Sequence, residues 1–148
     1  MHPSLATVGN PAFLGYVYTC VVLSLNLLAL WVSSGAVRAR SGVAINPEDG
    51  ARYGVPVREL DPPMVARILR VHRNAEAAIY PFLILGLVYV LVGGHASVAV
   101  PIFAIFTGAR IVHSIVYLRA LQPWRTIAFA TSLLAIIALM AAVLHVCF

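Results

Sequence analysis

Arg110, His113 and Tyr117 stand at i, i+3 and i+7, with Ser114 beside them, so on a helix they share one face. Arg67, Arg70 and Asn74 repeat that spacing, with Arg73 flanking them and Glu76 two residues further on. A guanidinium stays charged in apolar surroundings and grips carboxylates with a two-pronged fork, so two such stripes facing each other would bind an anion. The same residues could instead satisfy one another as interhelical glue, with Glu76 pairing to Arg73 at i+3 or to His72 at i+4. Charge favours the ligand: Arg67, Arg70, Arg73, Arg110 and Arg125 have only Glu76 as a nearby counter-ion, and unpaired buried charge is costly.

Other chemistries find no foothold. The five histidines are scattered and no pair of them has ligand spacing with a carboxylate or thiolate, so no metal is expected. There is no Gly-rich phosphate loop, no Gly-x-Ser-x-Gly elbow and no setting for a catalytic cysteine. A nucleophile would have to arrive with the ligand.

The elements that must position these residues follow from composition. The 148 residues are 61% hydrophobic and only 10% charged, with a mean hydropathy of +0.94, which excludes a soluble domain, a disordered chain and, with two cysteines, a disulfide scaffold. The net charge of +5 raises nucleic acid as a partner, but the arginines sit in and beside greasy segments, so none is expected. A membrane helix needs about 20 apolar residues. Four spans are predicted, at about 12–37, 64–92, 96–121 and 124–146, with a loop over 38–63. Gly93-Gly94 and Gln122-Pro123 break the later ones apart. The fold class is therefore all-α, an integral membrane four-helix bundle of up-and-down topology.

The second span can reach full length only by carrying Arg67, Arg70, Arg73, Asn74 and Glu76 into or against the membrane. In the third, Arg110 would lie 11 residues, roughly 16 Å, from the nearer end, too far to snorkel easily. Asn46-Pro47-Glu48-Asp49-Gly50 reads as a turn. Cys20 and Cys147 read as inert packing residues.

Sidedness comes from the basic residues, all ten of them arginine. Arg38, Arg40, Arg52, Arg58, Arg67 and Arg70 cluster in the first loop and the start of the second span, and Arg119 and Arg125 at the last junction, whereas the opposite face has only His2 and His95. By the positive-inside rule those connections are cytoplasmic and both termini lie outside. The first apolar stretch is far longer than a signal peptide's and is expected to be retained. All-arginine usage and no retrieval motif favour a bacterial inner membrane over the endoplasmic reticulum.

The string Arg67-Ile68-Leu69-Arg70-Val71-His72-Arg73-Asn74, continuing in Ile79-Tyr80-Pro81-Phe82-Leu83 and Gly86-Leu87-Val88-Tyr89, resembles the MAPEG family of membrane glutathione enzymes. Asn46-Pro47-Glu48-Asp49 and the run from Gly108 through Arg110 and His113 to Leu118 extend the likeness, which covers roughly residues 35 to 130. The resemblance implies a homotrimer embedded in the lipid bilayer, with glutathione bound between subunits near the cytoplasmic side. Arg73, Asn74, His113 and Tyr117 would hold the tripeptide, Arg38 would reach in from a neighbour, and Arg70 and Arg110 would line the same cavity. Arg125 takes the place of the family's catalytic arginine, Thr126 that of a serine, and Asp49 would be the arginine's partner. A glutathione thiolate stabilised by Arg125 would then attack a lipophilic small-molecule electrophile or lipid peroxide, giving conjugation, isomerisation or reduction. The alternative is a non-catalytic lipid-binding member of the same fold.

Two positions depart from the family pattern. Ala77 stands where a glutamate is expected and Glu76, the remaining candidate for the ligand's ammonium, comes one residue early, a turn of about 100° on a helix. Phe129 replaces a tyrosine.

Overall fold

The computed structural model describes residues 9–148; His2 lies outside them. Five helices are present: α1 (Pro11–Arg40), α2 (Pro47–Tyr53), α3 (Pro63–Leu91), α4 (Ala96–Leu118) and α5 (Trp124–Cys147). All except α2 are long and apolar enough to cross a membrane, and they run alternately up and down. Asn10 caps α1 by accepting the Ala12 amide at 3.0 Å, and Pro11 supplies a preset first torsion. At 30 residues α1 is about 45 Å long, more than the ~30 Å hydrocarbon core, so it is long enough to span that core and still leave Arg38 and Arg40 beyond it. Pro81 and Pro101 sit inside α3 and α4, as spanning helices tolerate where neighbouring helices satisfy the freed backbone groups.

The packing is a rhombus rather than a square. α3 and α4 touch along the short diagonal, while α1 and α5 each pack against both of them and not against each other. Aromatic rings fill the centre: Phe82 stacks on Phe106 at 3.6 Å and meets Phe103 edge-on at 5.8 Å. Gly86 lets α3 come this close, because a Cβ there would press on Phe103 and Tyr16 at 3.2 Å.

Three sequence expectations need correcting. The segment read as a turn is the start of α2, with Asn46 at the position before it, Pro47 in its first turn, acidic Glu48 and Asp49 suited to its positive end, and left-handed Gly54 closing it. Gly50 is there for space and not for turn geometry: a Cβ would collide with Val57, in the strand-like stretch that pairs with Ala44 through Ala44 N to Pro56 O at 3.0 Å and Arg58 N to Ala44 O at 2.8 Å. The third span stops at Leu118 and not at 121. Ala120 takes a left-handed conformation, φ 58°, and bonds from Ala120 N to Tyr117 O and from Leu121 N to Val116 O close the helix in a Schellman motif. Gly93 closes α3 in the same way, at Leu91. Cys147 is also exposed and not packed.

Candidate functional site

Four helices each contribute a polar side chain to one depth of the bundle. Arg110 on α4 is fully buried, eight residues or about 12 Å from the end of its helix. Its Nη2 donates to the backbone oxygen of Asn74 at 3.0 Å and to Asn74 Oδ1 at 2.9 Å, and its Nη1 reaches Ser132 Oγ on α5 at 3.5 Å. Ser114 Oγ donates to the Arg110 carbonyl at 3.1 Å and accepts from Asn26 Nδ2 on α1 at 3.2 Å. The guanidinium is thus held by neutral oxygens, and among the described residues the ion pairs are Arg38–Asp61 and His72–Glu76. Arg110 Nε and His113 Nδ1 are buried with no hydrogen-bond partner among those residues.

Towards the Arg119 end of α4 the cluster opens outwards. The His113 ring meets Tyr117 edge-on at 5.6 Å and leans on Phe129 at 6.3 Å. Arg125, half-buried in the first turn of α5, lays its guanidinium over the Tyr117 ring at 4.7 Å. One orientation of the Gln122 amide satisfies both its neighbours: its oxygen accepts from Arg125 Nε at 3.1 Å and Nη2 at 2.7 Å, and its nitrogen donates to Thr126 Oγ1 at 3.1 Å. The positive end of α5 adds to the field of Arg125, and the pair favours an anion.

The structure therefore brings Asn74 to Arg110, and His113, Tyr117, Arg125 and Thr126 to one another. Other predicted residues lie apart within the chain. Arg70 and Arg73 are exposed on α3, and Ala77 is exposed one turn beyond Arg73. Arg38 donates to Asp61 Oδ1 from Nε at 3.0 Å and Nη2 at 2.8 Å. Asp49 accepts from Asn46 Nδ2 at 3.3 Å, lines a cleft of about 410 Å³ shared with Arg38, and is not joined to Arg125. Glu76 takes the i+4 option, 3.4 Å from His72 Nδ1, and accepts from Tyr80 Oη at 3.0 Å. His72 and Tyr80 line a groove with Ser24, Leu28 and Trp31 of α1, so the one-residue shift turns Glu76 away from Arg110.

Sequence reasoning missed Asn26, Ser132 and Gln122. Asn26 had a signal, as the one carboxamide in an uncharged span. Ser132 had none, and Gln122 was read only as a helix break.

The MAPEG family model matches residues 16–145. The chain is similar to prostaglandin E synthase of Equus caballus, 39% identical over 131 residues that cover 88% of this chain and 86% of that protein. Prostaglandin E synthase of Homo sapiens is 35% identical over 123 residues, 82% of this chain and 81% of that one. Microsomal glutathione S-transferase 1 of Sus scrofa is 36% identical over 126 residues, 81% of each.

Proposed function

Because the chain belongs to the MAPEG family, we propose that it is a multi-pass membrane enzyme that uses glutathione to transform a lipophilic electrophile or a lipid peroxide. The observation that carries this reading is the arginine cluster without acids: Arg110 bonded to neutral oxygens, Arg125 engaged with a ring and an amide, and Arg73 exposed one helix away. Glutathione has two carboxylates and one ammonium, so its net charge suits that surplus. The unpartnered His113 Nδ1 offers it a further polar contact. When bound, glutathione supplies the sulfur nucleophile that the chain lacks.

The chain's own residues then divide the work. Arg73, Asn74, His113 and Tyr117 hold the tripeptide, with Arg70 and Arg110 adding positive potential around them. Arg125 stabilises negative charge on sulfur, since a nearby cation favours thiolate over thiol, and Thr126 donates a hydrogen bond to it. The exposed apolar side chains of α5, Ile127, Phe129 and Leu134 among them, face the phase in which a lipophilic substrate dissolves. In the same proposal the working unit is a homotrimer, Arg38 and Asp49 complete a neighbour's site, and the α1–α3 and α4–α5 connections are cytoplasmic. One observation favours the second reading, a non-catalytic lipid-binding protein: no carboxylate replaces the missing acid at Ala77, since Glu76 is engaged on the α1 side.

The test is conjugation of a generic aryl halide and reduction of a lipid hydroperoxide by purified protein. Arg125→Ala is expected to lower thiol-dependent turnover by about 10²–10³-fold, the usual cost of one donor to a developing anion. Absence of turnover, or turnover unchanged in the variant, overturns the catalytic reading.

A further inference from the structure

Gln122 sits in the connection between α4 and α5, is exposed, and spends both ends of its amide on site residues. The oxygen takes two N–H groups of Arg125 at 3.1 and 2.7 Å, and the nitrogen gives a hydrogen bond to Thr126 Oγ1 at 3.1 Å. The reverse orientation would set an NH2 against a guanidinium, donor against donor.

Two consequences follow from the donor inventory. Arg125 is fixed on one edge by Gln122 and on one face by the Tyr117 ring at 4.7 Å, so the outer edge, carrying Nη1 and the second hydrogen of Nη2, is left as its free donor edge. Thr126 already accepts a hydrogen bond, so its own hydrogen is free to be given away. Without that contact a helical threonine can instead turn its hydrogen back to the carbonyl four residues earlier. A carboxylate in place of Gln122 would also hold the guanidinium, but it would cancel the charge and compete for the threonine hydrogen. A neutral amide orients both groups and does neither.

On the reading that Arg125 and Thr126 face the glutathione sulfur, we infer that Gln122 is a positioning residue that sets the two donors against one anionic sulfur. It lowers the pH at which the bound thiol gives its proton to water, without itself touching the ligand.

The test uses the full chain in lipid vesicles and the variants Gln122→Met, Gln122→Glu and Arg125→Ala. Three quantities are read: the ultraviolet thiolate absorbance of bound glutathione against pH, its Kd by equilibrium dialysis, and kcat. Gln122→Met is expected to raise the pH of thiol ionisation by about one unit and to lower kcat at neutral pH about tenfold, with Kd changed less than about twofold, as fits loss of a charge-assisted bond remote from the ligand. The kcat deficit shrinks at alkaline pH, where thiolate forms unaided. Gln122→Glu gives a larger shift in the same direction. In a Thr126→Val background the effect of Gln122→Met is smaller, because half of what it positions is already gone. A thiol titration unchanged in Gln122→Met but moved by Arg125→Ala overturns the role of Gln122 alone. A titration indifferent to both variants overturns it together with the reading of Arg125 on which it rests.

Discussion

Asn74 and Arg110 show how an intramembrane charge is kept without an acid. The guanidinium takes a backbone oxygen and a side-chain oxygen from one residue of α3, two dipoles that desolvate more cheaply than a carboxylate would. The two partners are not equivalent. Asn74→Leu leaves a fully buried cation with fewer acceptors and is expected to cost about 3 kcal/mol, at or above the top of the range for a neutral orphan. Arg110→Met removes the charge itself and should stay within about 1 kcal/mol of the parent, as replacing a buried charge by an apolar side chain usually does. Unfolding in mixed detergent micelles measures both, and an Arg110→Met protein less stable than Asn74→Leu would contradict this account. Both residues were legible in the sequence as members of facing stripes, but their pairing was not, because spacing along one helix says nothing about its depth against another. Ser132 was illegible for a related reason: a lone hydroxyl in an apolar span looks the same whether it meets an arginine or its own helix.

At the scale of elements, apolar length and the breaks at Gly93-Gly94 and Gln122-Pro123 were enough to find the four spans, whereas their ends depended on conformations that composition hides. Gly93 is a glycine in the left-handed position and was readable; Ala120 occupies the equivalent position after α4 with a Cβ, and the sequence reading ran three residues too far. A left-handed alanine costs about 1–2 kcal/mol, part of which glycine gives back as chain entropy in the unfolded state. Ala120→Gly is therefore expected to stabilise the protein by about 0.5–1 kcal/mol, seen as a higher thermal midpoint in detergent with the helix content unchanged. An unchanged or lower midpoint would mean that the Schellman closure does not hold the α4–α5 connection as drawn. α2 was misread for the opposite reason, since its glycine is required by the approach of Val57 and only looks like a turn signal.

Over the whole molecule, arginine lies at one end and in the adjoining half of two helices, and the other end is bare. That asymmetry was fully legible and predicts the side each connection occupies. Cys147, exposed next to the carboxyl terminus, provides a native probe: a membrane-impermeant thiol reagent is expected to label it on intact cells or right-side-out vesicles, and a cysteine introduced at Glu48 only after the membrane is opened. The reverse pattern would invert the topology. The rhombic packing has a consequence of its own. With α1 and α5 on opposite flanks and out of contact, the two helices present separate apolar faces, and on the proposed function a lipophilic substrate would reach the Arg125–Tyr117 cluster along the α5 side by diffusion in two dimensions. Its effective concentration is then a mole fraction among lipids and not a molarity in water, and adding empty lipid slows turnover even though substrate, enzyme and assay volume are unchanged.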